Sequence, residues 1–320
     1  MSQHKRTHIS TRILLRWLLL VQAACVGAFA YAFVATGAIA SWPLALVAGA
    51  GLVLLVRILI TANNFLMTAR FSSLTPDDFQ LGRAAQLCLF GEEFMATLLQ
   101  SSWFMPIACA TERIYDDATV PPVLLIHGYG CNSGYWSHLT PLLDASHISH
   151  ASLDLEPMLG AIDDYVPLVE RAVASLCSKS NIPKVIIVAH SMGGLVARAY
   201  VREHGAGCVA HIFTMGTPHH GTSLASMGIG RNASQMRRSH GCADAPESPW
   251  LRELAATEDG ATRALITSFY THHDNIVAPQ TSSVLSGARC IAFGGIGHVA
   301  MGRNRRVLQR LMHEIVMLVS

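Results

Sequence analysis

Between Trp17 and Val56 the chain carries no Asp, Glu, Lys or Arg. A helix that crosses a bilayer takes roughly 20 apolar residues, so this run predicts two spans rather than one. Gly37 and the Ser41-Trp42-Pro43 turn divide it, because Pro43 cannot donate within a continuing helix. The expected spans are Leu15 to Ala38 and Pro43 to Thr61, with Arg57 near the end of the second, where its side chain can reach the interface. Further on, Thr75-Pro76-Asp77-Asp78 has the composition of a helix start: a capping hydroxyl, a proline for the first turn, and acids that complement the dipole. That helix is expected to reach about Ser101 with its apolar positions at Leu87, Phe90, Phe94 and Leu98. It packs either on the C-terminal part of the chain or on the bilayer surface. Residues 105–119 read as an irregular or strand-containing approach.

From Pro121 the pattern changes to short apolar runs that alternate with helical segments. Val123 to Ile126 has the pattern of a buried strand ending at His127-Gly128, and Ala151 to Leu155 of a weaker one. Val185 to Ala189, His211 to Met215, Leu265 to Tyr270 and Cys290 to Phe293 are the later strands. Helices are expected over Asp164 to Ser178, from Ser191 to about His204, and over Arg305 to Val319. Such alternation predicts an α/β fold, a mainly parallel sheet with both faces covered. The expected organisation is a two-helix membrane hairpin over residues 1–68, a helical connector over 69–120, and the α/β domain over 121–320.

Composition agrees with a chain in two environments: 51% of its 320 residues are hydrophobic and only 14% are charged. A net charge of +2, without a basic patch interleaved with aromatics, excludes nucleic acid as the partner. The eight cysteines show neither a Cys-x-x-Cys pair nor metal-ligand spacing, and read as thiols rather than a zinc site or disulfide framework. Lys5, Arg6, Arg12 and Arg16 precede the first span while the connecting loop is uncharged, which predicts a cytoplasmic N-terminus. Two crossings then return the remainder to the cytoplasmic side, giving a multi-pass protein of a bacterial inner membrane. The alternative is a secretory signal over residues 1–30, with small residues at Ala28-Phe29-Ala30. In that case the second span is the only anchor and the domain's side is reversed.

The chemistry concentrates where the Val185 strand meets Ser191. Small residues stand two before and two after it, at Ala189 and Gly193, and a helical segment comes next. This is the pattern of a nucleophile elbow, a strand-to-helix turn that lifts one serine hydroxyl above the sheet. A serine nucleophile needs a base, and the base needs an orienting acid. Asp274 follows the Leu265–Tyr270 strand and His298 follows the last, so the order Ser191, Asp274, His298 places each residue after a strand. Asp259 is the second choice of acid, but it precedes its strand; His272 and His273 are expected to line the acid loop, and His313 to lie on the closing helix. His127-Gly128-Tyr129-Gly130 follows the first strong strand, and the backbone N–H groups of Tyr129 and Met192 are the expected oxyanion donors. The bland reading is that His127-Gly128 merely ends a strand.

Ala189 to Gly194, His127 to Gly130, and Thr217-Pro218-His219-His220-Gly221-Thr222 together resemble bacterial triacylglycerol lipases and related α/β-hydrolase esterases. They are similar also to the lipase-like domain of inositol deacylases that act on glycolipid anchors. The resemblance covers roughly Pro121 to Ser320 and implies the α/β-hydrolase fold and ester hydrolysis without a redox or organic cofactor. It implies an acyl ester or lipid substrate as well. The N-terminal hairpin departs from the secreted lipases, which carry a cleaved signal. Residues 222–264 read either as a lid or acyl-binding cap, or as a helical excursion over the sheet. The expected protein is a membrane-tethered serine esterase without cofactor or metal. An acyltransferase or thioesterase would use the same three residues, and a non-catalytic binding scaffold would keep only the fold.

Overall fold

The computed structural model describes residues 10–238 and 247–318. Lys5, Arg6 and Val319, which entered the topology and closing-helix expectations, lie outside them. Two N-terminal helices, α1 (Thr11–Ala35) and α2 (Trp42–Ala69), are each long and apolar enough to cross a membrane. Pro43 sits in the first turn of α2, where its missing N–H costs nothing. The two helices meet through small residues: a side-chain carbon on Gly49 would stand 2.7 Å from the Val26 carbonyl oxygen, and Ala30 and Ala45 are fully buried. Helix α2 continues past the expected end at Thr61, because its last turns have a partner outside the apolar zone. There Thr68 Oγ1 donates to the Asn275 carbonyl at 2.7 Å.

The helix expected from Thr75 starts later. Asp77–Phe79 forms a single 3-10 turn, and α3 (Arg83–Leu99) begins after Gly82. Phe79 explains the interruption: its ring packs 4.5 Å from that of His272, and its Cδ1 lies 2.7 Å from where a side chain on Gly294 would begin. The buried face of α3 also differs from the expected apolar one. It comprises Leu89, Glu93 and Ala96, and continues into Gln100, whereas Leu87 is exposed. Phe90 turns instead toward Phe65 of α2, with ring centroids 5.8 Å apart. The connector therefore packs on both the hairpin and the α/β domain. A π turn over Gln100–Phe104 and the short α4 (Met105–Ile107) complete it.

The sheet comprises β1 (Glu112–Arg113), β2 (Val123–Ile126), β3 (His150–Leu153), β4 (Val185–His190), β5 (Val209–Met215), β6 (Ile266–Thr271) and β7 (Arg289–Phe293). Their order is β1-β3-β2-β4-β5-β6-β7. Only β1 runs antiparallel to its neighbour; the remaining pairs are parallel. The period of two along β2 and β4 sends Leu124, Ile126, Ile187 and Ala189 into one core and Val123, Leu125, Ile186 and Val188 into another. On the second face sit α5 (Thr140–Ala145) and, at the end of the chain, α11 (Arg305–Met317). On the first lie α6 (Val166–Ser180) and α7 (Met192–His204). The segment over 222–264 contains a 3-10 turn at Ser223–Met227, then α8 (Arg231–Gln235), α9 (Pro249–Ala256) and α10 (Gly260–Ala264). The seven cysteines among the described residues are free.

One buried ion pair ties this segment to the sheet domain. The Arg198 guanidinium, on α7, meets Glu258 in a fork: Nε to Oε1 is 2.6 Å and Nη2 to Oε2 is 2.8 Å. Both side chains are shielded from solvent, and Arg198 Nη1 also donates to the His219 carbonyl at 3.2 Å. Removing one partner of such a pair strands the other charge in a medium that cannot solvate it. Glu258→Ala should therefore cost about 3–5 kcal/mol of stability, read as lower thermal unfolding of the full chain in detergent. A loss below about 1 kcal/mol would mean that the guanidinium is solvated after all.

Candidate active site

Ser191 stands between β4 and α7 with φ +53° and ψ −126°, a backbone conformation in which side-chain-bearing residues are rare. The surroundings over-determine it. Its N–H donates to the Met215 carbonyl at 2.8 Å, and its own carbonyl accepts from Gly194 N–H and from Thr217 Oγ1. Glycine at 193 is required by space: a side-chain carbon there would stand 2.4 Å from the Ile126 carbonyl oxygen. Gly194 is equally constrained, since a carbon on it would meet Thr217 Oγ1 at 2.1 Å. Thus the helix can follow the serine at once, with the Met192 N–H free of any partner within the helix.

The loop after β2 lies against this turn, for a carbon on Gly128 would approach Ser191 Cβ to 2.8 Å. His127 shapes the loop from inside. Its Nε2 accepts from Leu155 N–H at 2.9 Å, which leaves the proton on Nδ1 to donate to the Gly128 carbonyl, also at 2.9 Å. Burial pushes this imidazole down, consistent with a neutral ring in that tautomer. Fixing the Gly128 carbonyl also fixes the Tyr129 N–H, because both lie on opposite sides of one planar peptide. Sequence reasoning assigns His127 no such part; its signal is a histidine directly after a strand, as the first residue of the His127–Gly130 loop.

Asp274 and His298 come together although 24 positions separate them. His298 Nδ1 is 2.7 Å from Asp274 Oδ2, and both side chains are nearly excluded from solvent. The other oxygen, Oδ1, accepts from the N–H groups of Ile276 and Val277 at 2.8 and 2.7 Å. Burial alone would lower His298, but the Asp274 charge and hydrogen bond, with a smaller contribution from Glu93, outweigh it and raise its pKa. The proton on Nδ1 leaves Nε2 as the free basic atom. His298 reaches the elbow through its carbonyl, which accepts from His190 Nε2 at 3.2 Å, and through its ring, 4.6 Å from that of His190. Among the described residues no hydrogen bond joins Ser191 Oγ to His298, a contact that in free enzymes is often long and tightens with substrate.

The acid loop has supports that sequence reasoning missed. Asn275 Oδ1 accepts from His298 N–H at 2.9 Å while its carbonyl accepts from Thr68. Gln280 Nε2 donates to the Asp274 carbonyl at 3.0 Å, and its Oε1 accepts from Ser73 N–H. Nothing in the spacing of Thr68, Ser73 or Gln280 signals these contacts, which link residues some two hundred positions apart. Asp259 is remote from this cluster in role: it caps α10 by accepting from Thr262 N–H at 2.7 Å. His273 does line the acid loop, its Nδ1 accepting from Gly295 N–H, His272 packs on Phe79, and His313 lies in α11. The 222–264 segment meets the loop after β2 at Tyr129, whose Oη donates to the Ile229 carbonyl at 2.8 Å and accepts from Ile229 N–H at 3.2 Å. No group of three His, Cys, Asp or Glu suited to a metal ion occurs among the described residues.

Residues 158–305 match the family of the PGAP1-like alpha/beta domain. In three dimensions the chain is similar to the mature lipase BlEst2 of Bacillus licheniformis, with a TM-score of 0.55 at 15% identity over 65% of this chain and 97% of that one. Lipase B of Aspergillus fumigatus gives a TM-score of 0.50 at 18% identity over 61% of this chain. There the match spans only 52% of the fungal protein. The sheet order, the elbow between β4 and α7, and these likenesses give the chain an α/β-hydrolase fold.

Proposed function

We propose that the protein is a membrane-tethered carboxylic ester hydrolase of lipase type. The observation that carries this reading is the buried 2.7 Å contact between Asp274 and His298 beside a strained serine. In this mechanism Ser191 Oγ attacks the acyl carbonyl while His298 Nε2 takes its proton. Asp274 holds the ring with Nδ1–H toward itself and stabilises the imidazolium that forms. The N–H groups of Tyr129 and Met192 receive the developing oxyanion, aided by the N-terminal end of α7. His298 then returns the proton to the leaving alcohol, and a water molecule activated by the same ring releases the acid. Each step needs only an ester and water.

Tethering by an uncleaved hairpin is supported by contacts at both of its ends. Near the start of α1, Thr11 N–H donates to Glu156 Oε1 at 2.8 Å and Arg16 Nε to the Pro106 carbonyl at 2.9 Å. At the end of α2, Thr68 holds Asn275. Two antiparallel crossings with both outer ends on one domain keep that domain on the side of the N-terminus, and Arg12 and Arg16 favour the cytoplasm. The substrate is then an acyl ester or lipid presented at that bilayer face.

A fluorophosphonate probe should label the purified full chain and fail on Ser191→Ala; equal labelling of both proteins would remove Ser191 from the mechanism. The protonated ring cannot accept a proton, so kcat/KM for a soluble ester should fall on the acid side through an apparent pKa above 6.5, histidine's ordinary value. An acid limb below that value would contradict the Asp274–His298 assignment. Topology has its own test in the exposed thiols of Cys88, Cys109 and Cys208. In intact cells an impermeant maleimide should leave them unmodified, whereas ready modification would put the domain on the opposite face.

A further inference from the structure

Helix α3 presents a carboxylate to the interior where its periodicity would place an apolar side chain. Glu93 is 1% exposed. Its Oε1 accepts from Val299 N–H at 3.0 Å and its Oε2 from Ala300 N–H at 2.9 Å, the two residues that follow His298. The carboxylate is also pressed against the residue before His298, since a carbon on Gly297 would meet Oε2 at 2.4 Å. Its neighbour in sequence, Glu92, accepts from Asn304 Nδ2 at 2.8 Å, so consecutive glutamates hold both ends of the segment that leads from His298 into α11.

A buried carboxylate is expensive unless hydrogen-bonded or faced by positive charge. Backbone amides supply the first requirement here. Among the ion pairs of the described residues, Glu93 has no Lys or Arg partner. The titratable groups around the site are Asp274 from the loop after β6, His298 itself, His190 from β4 and Tyr135 from the loop after β2. Burial is the largest influence on Glu93 and leaves its pKa raised, although the amides of Val299 and Ala300 and the charge of His298 pull it down; Asp274 adds a small push upward. Burial and the charge of His298 hold His190 well below its usual value, so this ring is neutral. The cation that forms during the reaction is therefore the His298 imidazolium, with two carboxylates near it.

We propose that Glu93 is a positioning residue for His298: it clamps the loop through two consecutive amides and sets a second carboxylate beside the imidazolium. The proposal rests on the reading of His298 as the general base. It assigns part of the aim and charge of that base to a helix outside the sheet domain, which belongs to the connector between membrane hairpin and hydrolase. A glutamine at this position keeps one acceptor but turns an N–H₂ toward the second amide and removes the charge.

The experiment is the pH profile of kcat/KM for Glu93→Gln in the full chain, with a soluble short-chain ester. Loss of a nearby negative charge lowers the base's pKa, so the acid limb should move down by about one pH unit. The displaced loop should lower the plateau roughly 10- to 100-fold, mainly in kcat. A limb that stays in place overturns the proposal, whether or not the rate falls, because a merely structural glutamate would leave it unmoved. If the variant does not fold, hydrogen exchange on the unmutated chain decides. The Val299 and Ala300 amides should exchange roughly 100-fold more slowly than unstructured ones, and unprotected exchange overturns the clamp. His298→Ala keeps the two questions separate: if it retains full activity, the base assignment fails independently of Glu93.

Discussion

The approach of α7 to the end of β2 is the contact on which the site depends. Gly193 lies so near the carbonyl oxygens of Ile126 and His127 that no side chain fits between them. This approach lets the helix start directly after Ser191, and it forces the serine into a left-handed backbone conformation. Strain of this kind costs on the order of 1–3 kcal/mol and persists only where neighbours over-determine it. The neighbours here are the Met215 carbonyl, Thr217 and the sheet itself. The same turn abuts Gly128, so the serine and the His127-shaped loop lie in direct contact.

Buried charge is placed with similar economy. Arg198 and Glu258 neutralise each other in a fork and fix His219 of the Thr217–Thr222 motif. Burial, then the charge of Arg198, push His219 well down, so it serves as a neutral packing group. Glu93 differs: its partners are amides, and its charge remains available to whatever cation arises beside it. Asp274 combines both arrangements, with one oxygen on two amides and the other on His298.

The two N-terminal helices are joined to the loops of Asp274 and His298 rather than merely linked to them along the chain. Thr68 reaches Asn275, Ser73 reaches Gln280, and Arg57 donates to the hydroxyls of Ser101 and Ser102 at the end of the connector. Asn275 in turn holds the backbone of His298. Helix α2 is thus hydrogen-bonded to the loop that carries Asp274, and through Asn275 to the backbone of His298.

The amino-acid sequence determined the parts governed by local rules. Largely apolar runs of four to six residues marked the strands from β2 onward, the charge-free stretch marked the two long helices, and small residues around Ser191 marked the elbow, because each reflects sterics or solvation within a short segment. Residue types and chain order pointed to Asp274 and His298, which the fold brings into contact. The helix start at Thr75 was misread because Phe79 finds its contact on His272 and Gly294, which outweighs the local capping signal. Likewise the inward face of α3 could not be read from hydrophobicity, since two free amides some two hundred positions away select a glutamate over Leu87. Only the tertiary structure decided which distant groups meet, because the energy of a buried polar side chain depends on partners that its own neighbourhood in sequence does not contain.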